Sequence, residues 1–490
     1  MATFKHTKTI ANEIQHSDIF VSTGNEWQAQ EYRGNGLFET GPRTLFLRHH
    51  LVEMVDSAQN MICLQSFLVQ DTPVMEAMLR AEKRGVKIFL MDSAEARLGD
   101  PSEETDGFVE ADYKKLVNDR LRGIVTHRQA SFLHAKFLLV DPRGPQARGA
   151  LFTGNFNQKP FRDNPELGVL LNLAQIGELY KLFVYHFWEH CTHEQGLSTN
   201  FEAVKPLGRF QPFRPQHVMA LSPEASCCNL EDELAVAIES AQDHISLSVY
   251  SIESSHKLTR LLVRKLEAGL RVELFTRPRQ ANLEALRELS RKGATVYTHP
   301  LIHAKSLVVD GQRGFVFSSN LATHGNRHGF EVGVRLGSEQ TKTLAQIHQD
   351  WTRQFPHQFQ ATASNQRARQ FAQLDPQGKW TPKDVDKLQK TEATSHKASK
   401  VGEFIEILNA EWKPSKQHAA EVTWVKSIEL EGKPEKMEEV KREDWGVVYT
   451  ANKKGKTIHG ILLNMSQFSA TKEELEALAQ YSDHVLRAQD

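Results

Sequence analysis

The sequence predicts an α/β protein: two tandem α/β/α sandwich domains related by pseudo-two-fold symmetry, plus a small C-terminal α+β module. Three observations predict this. A polar string occurs twice, His134-Ala135-Lys136 with Asp141 and His303-Ala304-Lys305 with Asp310, each spaced His-x-Lys-x4-Asp across an aliphatic run. Apolar strands alternate with amphipathic helices around both strings, the pattern of a mostly parallel sheet with helices on both faces. After Trp351 the chain turns to Gln, Ala, Ser, Thr and Lys, a composition that favours solvated chain over a packed core.

The elements follow in order. Residues 1–30 form an N-terminal segment whose start, Met1-Ala2-Thr3-Phe4-Lys5, has no apolar signal core, so the expected location is cytoplasmic. The first domain spans 31–200. In it Ser57-Ala58-Gln59-Asn60 leads into an apolar strand, residues 75–84 read as an amphipathic helix, and Gly85 stops it before the strand at 86–91. A connector covers 201–224 and the second domain 225–358. There Ser240-Ala241-Gln242-Asp243 opens a strand, residues 258–268 repeat the helix, and Gly269 repeats the stop. Such parallel order marks a duplication. Each half closes on a helix bearing a tryptophan, Trp188 and Trp351, both expected in the core.

A linker is expected over 359–400, with six lysines against three acids between Lys379 and Lys400. The module at 401–490 should hold a helix at 403–410, a strand at 421–430, a hairpin at 446–463 and a last helix opened by the capping box of Thr471 and Glu474. Gly455-Lys456-Thr457 imitates the end of a phosphate-binding loop, but Thr450 stands where its first glycine belongs, so a hairpin turn explains the glycine better. Any ATP-driven step would then need an ATPase or helicase partner, engaged through this module.

Polar satellites follow each His-x-Lys string: Thr153-Gly154-Asn155-Phe156-Asn157 and Phe317-Ser318-Ser319-Asn320, then Glu166 and Glu331, each opening a strand. The ordered set resembles the phospholipase D superfamily over roughly residues 40 to 357. It departs in residues 142–150, which lengthen the first interval, in Asn155 where the family has Ser, and in Phe317 where it has Gly. The resemblance implies a phosphodiesterase without metal or cofactor. One histidine attacks phosphorus, His134 by family precedent, and His303 protonates the leaving oxygen. Lys136, Lys305, Asn157 and Asn320 would hold the non-bridging oxygens, with Asn155, Ser318 and Ser319 also at the substrate. Glu166 and Glu331 would each orient an imidazole. Asp141 and Asp310 fall at the strand end beyond the reacting face and are expected to be structural.

Net charge of −1 excludes a globally basic nucleic-acid binder, leaving local patches. No apolar run has the length of a membrane span, so integral membrane contact is not expected. The four cysteines, Cys63, Cys191, Cys227 and Cys228, have no zinc-site spacing, and His49, His50, His324 and His328 lack carboxylate companions at metal-binding spacing. Among substrates, DNA is favoured over RNA and lipid, because Arg143, Arg148, Lys159, Arg162, Arg277, Arg279, Arg313, Asn326 and Arg327 stand in the motif loops. That points to a nuclease, within a DNA-processing or phage-defence assembly. The alternatives are a cytoplasmic phospholipase D or phosphatidyltransferase, and a scaffold that binds phosphodiesters without turnover.

Overall fold

The computed structural model describes residues 2–10, 19–32, 35–42, 44–93, 110–131, 133–197, 200–222, 227–322 and 329–361, and the stretches 370–374, 380–384, 390–398, 421–425, 447–453, 456–464, 471–479 and 484–488. They fall into two compact units, Ile14–Asp384 and Met1–Glu13 with Val385–Asp490.

The first half of the larger unit runs β1 (Leu37–Thr40), α1 (Phe46–Asp56), β2 (Met61–Gln65), α2 (Thr72–Lys83), β3 (Lys87–Ser93), α3 (Glu110–Lys115), β4 (Thr126–Ala130), β5 (Phe137–Val140), β6 (Arg148–Phe152), α4 (Gln158–Arg162), β7 (Glu166–Leu170), α5 (Leu173–Tyr185) and β8 (His193–Gln195). The second half runs β9 (Met219–Ser222), α6 (Asn229–Glu239), β10 (His244–Val249), α7 (Lys257–Glu267), β11 (Arg271–Thr276), α8 (Leu283–Arg291), β12 (Thr295–Thr298), β13 (Ser306–Val309), β14 (Arg313–Phe317), β15 (Glu331–Arg335), α9 (Ser338–Gln354) and β16 (His357–Gln360). Eight strands of each sheet match in order, β8-β4-β3-β2-β5-β6-β7-β1 within a nine-stranded sheet and β16-β12-β11-β10-β13-β14-β15-β9 within a twelve-stranded one. This is the duplicated α/β fold that the repeated motifs predict.

Local chemistry accounts for the elements. In α2, Asp71 accepts a hydrogen bond from the Val74 backbone N–H, Pro73 sits in the first turn, and Val74, Met75, Ala77, Met78 and Ala81 make one buried face. α7 repeats this with His256 as the cap and Leu258, Leu261, Leu262 and Leu266 buried. Gly85 and Gly269 follow at φ of 87° and 89°, a left-handed turn that a side chain would strain.

The sheets are mixed rather than mostly parallel. Only β2, β3 and β4, and likewise β10, β11 and β12, run parallel; β5 and β13 pair antiparallel to β2 and β10. A parallel sheet needs a crossover for every strand, and the short connections after each His-x-Lys string leave room only for hairpins. Side chains alternate along these strands. Leu138 and Val140 face the helices of their own half, whereas Phe137 and Leu139 enter a core shared by both halves with Phe275, Val308, Phe330 and Trp351. Trp351 is fully buried there, but Trp188 is only half-buried, beneath the Arg128 guanidinium at 4.2 Å.

The smaller unit is a six-stranded sheet. Ala2–Ile10 pairs antiparallel with Lys390–Ala398 and parallel with Val447–Lys453, which forms a hairpin with Lys456–Asn464. Thr471 and Glu474 exchange the two capping-box hydrogen bonds at the start of Lys472–Ala479. The stretch expected as a solvated linker therefore contains strands: Gln370–Leu374 and Trp380–Asp384 form a hairpin beside Ile19–Ser22, and Lys390–Ala398 takes its partner from the N-terminal segment. Composition reads solvation, not the presence of a remote partner strand. The expected strand at 421–430 is described over Glu421–Val425; the expected helix at 403–410 lies outside the described residues.

Candidate active site

β5 begins at Phe137, opposite Gln65, the last residue of β2. His134 and Lys136 therefore emerge where the parallel strands end, the edge at which open α/β sheets bind ligands. They precede β5 rather than lying on it, and His303 and Lys305 likewise precede β13. What holds them is the opposite half. The backbone N–H groups of His134 and Ala135 donate to the carbonyl of Phe330 (3.1 and 2.7 Å), and those of His303 and Ala304 donate to the carbonyl of Pro165 (3.1 and 3.0 Å).

The residue after each of those carbonyls is the glutamate, and the exchange continues in the side chains. His134 Nδ1 donates to Glu331 Oε1 at 2.7 Å, and His303 Nδ1 donates to Glu166 Oε1 at 2.7 Å. Each histidine is thus oriented by the other copy's carboxylate, a pairing with no signature along the chain. Thr153 donates to Glu166 Oε2 at 2.7 Å, and Ser318 donates to Glu331 Oε2. Burial pushes the Glu331 carboxyl up, but the charge and hydrogen bond of His134, the Lys136 ammonium and Ser318 outweigh it and hold Glu331 below its ordinary value. Lys305 Nζ lies 3.0 and 2.8 Å from the two ring nitrogens of His303 and 3.5 Å from the Thr153 carbonyl, a further link between halves. All four His and Lys residues are at most 8% exposed, so charge in the site is screened little by solvent.

The pairing register resets the satellites. Phe152 N–H donates to the Lys136 carbonyl and Phe317 N–H to that of Lys305; Thr153 N–H and Ser318 N–H then donate to Leu167 and Val332. Thr153 thus corresponds to Ser318, and Asn155 to Asn320, whereas the motif alignment matches Asn155 with Ser318 and Asn157 with Asn320. Asn155 is buried, with Oδ1 making no hydrogen bond among the described residues; Asn157 is buried at the N-terminus of α4; Asn320 accepts from the Ser251 N–H at 3.3 Å. Ser319 donates to the Asn320 carbonyl. Gly154 packs on the carboxylate, since a Cβ there would stand 2.7 Å from Glu166 Oε1.

Asp141 and Asp310 sit at the far ends of β5 and β13, with φ of 46° and 52°. Their carboxylates accept the N–H groups of Gln59, Asn60 and Met61, and of Gln242, Asp243 and His244, at 2.7 to 3.0 Å. Each ties the strand end to the start of its neighbour. Arg148 and Arg313 belong to that end as well, being paired in register with Val140 and Val309, and Arg143 follows Asp141 by two residues. None of the three flanks the histidines. Lys159 and Arg162 are exposed on α4, immediately after Asn157. Asn326, Arg327, His324 and His328 lie outside the described residues.

Two residues absent from the sequence reading touch the imidazoles. The Phe67 ring lies 5.7 Å from His134 and the Tyr250 ring 5.1 Å from His303, both tilted steeply. Aligning Gln65-Ser66-Phe67 with Ser248-Val249-Tyr250, at the ends of the two matching strands, would have shown them. Among the described residues no group of three or more His, Cys, Asp or Glu side chains could hold a metal ion, and no helix is long and apolar enough to cross a membrane.

The family model described as cardiolipin synthase, PLD-like domain, matches residues 51–190 and 234–357, more than half of the 490 residues. The chain belongs to the phospholipase D superfamily, whose members act on phosphodiesters. Among solved structures it is similar to the polyphosphate kinase of Porphyromonas gingivalis (16% identity, TM-score 0.46), matching 65% of this chain and 47% of that one, so it spans about half the kinase's length. It is similar also to phosphatidylserine synthase of Haemophilus influenzae Rd KW20 (12%, TM-score 0.43; 71% and 90%) and to Nuc of Salmonella typhimurium, a phospholipase D family member (21%, TM-score 0.26; 29% and 95%). No curated protein matches the chain significantly.

Proposed function

We propose that the chain hydrolyses phosphodiesters through a phosphohistidine, without a metal, and that its substrate is nucleic acid, DNA before RNA. The observation that carries the reading is the crossed pair of histidine–glutamate hydrogen bonds, at 2.7 Å each. With Nδ1 donating to a carboxylate, Nε2 is the nitrogen directed to chemistry. His134 Nε2 attacks phosphorus, forming the N–P bond as the P–O bond to the leaving group breaks, and His303 delivers its proton to the leaving oxygen. His303 then takes a proton from water, whose oxygen attacks phosphorus and releases His134. Lys136 and Lys305 offset the charge that develops on the non-bridging oxygens and the asparagine amides donate hydrogen bonds to them, with Thr153 and Ser318 holding the carboxylates.

The exposed Lys159 and Arg162 beside Asn157 support a polyanionic substrate. The family model's description favours a second reading, phosphatidyl transfer between lipids. Labelled plasmid, single-stranded DNA, RNA and phosphatidylcholine vesicles, incubated with the protein in EDTA, separate the two. Metal-free cleavage of DNA supports the proposal; headgroup release from vesicles with intact nucleic acid replaces it with the second reading. Mapping the phosphorylated peptide after alkaline denaturation, which the P–N bond survives, assigns the nucleophile, and phosphate on His303 reverses the two roles.

A further inference from the structure

The halves differ just past the central strand, where Phe67 and Tyr250 occupy equivalent positions. Tyr250 is 7% exposed, and its ring collects cations: the Arg279 guanidinium carbon stands 4.2 Å from its centroid, that of Arg277 4.8 Å, and Lys305 Nζ 5.8 Å. With His303 at 5.1 Å on the same ring, four cationic or protonatable groups converge there. Arg277 is occupied structurally, donating from Nε to the Ile302 carbonyl (3.1 Å) and from Nη2 to that of Leu301 (2.9 Å), which fixes the turn before His303. The Arg279 carbonyl accepts from the Asn282 N–H at 3.0 Å, but its half-buried guanidinium makes no hydrogen bond or ion pair among the described residues and is held by stacking on Tyr250, with its N–H donors unspent. By strand register the first half has Phe67 in place of Tyr250 and Ser93 in place of Arg277.

We infer that Arg279, stacked on Tyr250, forms a second-phosphate subsite on the His303 side, which binds the phosphate one step along the chain from the scissile one. It rests on the phosphodiesterase reading for the position of the scissile group, and it names the substrate class: esters with at least two consecutive phosphodiesters, as in a polynucleotide, rather than a lipid with one. A planar guanidinium suits the task because it presents paired N–H donors to two phosphate oxygens. Stacking on an aromatic ring limits the rotamer freedom that binding would otherwise remove.

The test compares binding of a fluorescent dinucleoside monophosphate with that of the matching trinucleoside diphosphate, in EDTA, by full-length wild-type protein and by Arg279→Ala. Wild type should bind the second ligand about tenfold or more tightly, and Arg279→Ala should lose that advantage while binding the first within about twofold. Tyr250→Leu should behave as Arg279→Ala. The slope of log affinity against log salt for the two-phosphate ligand should fall by about 0.7 in Arg279→Ala. Equal wild-type affinity for the two ligands, or equal loss of both in Arg279→Ala, overturns the subsite. Turnover is scored separately: selective binding without hydrolysis of either ligand keeps the subsite and removes the phosphodiesterase reading.

Discussion

The two halves of the larger unit share eight strands in one spatial order and exchange a glutamate symmetrically, yet they surround their histidines differently. Behind Phe67 the first half buries a closed polar network: Asp92 accepts from Tyr113 (2.6 Å), His127 (2.9 Å) and Gln129 (2.9 Å), all away from solvent. At the matching place the second half has Thr276 and the arginines around Tyr250. One half is braced and the other presents charge. The difference teaches that the duplication constrains what both sites need, the orientation of an imidazole, and leaves the strand ends to diverge toward substrate.

The comparison breaks most visibly at the shared chemistry. If both halves serve one site, His134→Ala and His303→Ala each lower the initial rate in EDTA by about 10³-fold or more. Near-full activity in either variant would mean that the halves work independently. Crossed orientation makes a finer claim, that Glu331→Gln and Glu166→Gln each cost on the order of 10²-fold, by disturbing the histidine of the opposite copy. In ¹⁵N spectra of the imidazoles, Glu331→Gln should move His134 and leave His303 in place; the reverse pattern would contradict the exchange.

Acid stability separates other buried groups. Burial, aided by nearby Arg277, lowers His299 to about 3, and burial lowers His348 to about 3 and His357 to about 4. Below about pH 6.5 the unfolded chain takes up protons that these folded groups refuse, so they destabilise the fold as pH falls. Glu39 acts with opposite sign: burial, against hydrogen bonds from Gln30, Trp351 and Trp27, raises its carboxyl to about 7, so its contribution declines as pH rises from about 4.5 to 7. We expect the thermal midpoint to fall from pH 7 to pH 5, because three histidines outweigh one carboxyl, and to fall more steeply in Glu39→Gln. A midpoint that rises on acidification would reverse that balance.

Smaller effects sharpen the asymmetry between equivalent positions. Gly154→Ala places a methyl against Glu166 and should lower the rate by roughly tenfold through the displaced His303. Its register counterpart Ser319 already carries a Cβ, and Ser319→Ala should stay within about twofold, having given up one hydrogen bond to the Asn320 carbonyl. Equal losses at the two positions would show that the register equivalence does not extend to the chemistry.

Much of this was legible in the chain. His134, Lys136, His303, Lys305, Glu166 and Glu331 carry their spacing openly, and the helices expected at 75–84 and 258–268, found at 72–83 and 257–267, announce themselves through apolar spacing and glycine stops. The family match over both repeats agrees with the motif reading. The sheet was misjudged as mostly parallel because β5 and β13 have the same apolar composition as the parallel strands, and direction is set by the length of a connection and not by residue type.

What the sequence by itself determined is local: element types, the order of motifs, and which His, Lys and Glu side chains the motifs repeat, all written in side-chain chemistry and short-range periodicity. Tertiary structure decided the partnerships. His134 meets a carboxylate 197 residues away and His303 one 137 away; Asn155 takes the place opposite Asn320 through strand register; Ala2–Ile10 finds its partner at Lys390–Ala398; Arg279 reaches the site by leaning on Tyr250. Each depends on loop closure and packing between distant segments, whose free energy belongs to the whole fold and leaves no mark in any one stretch of chain.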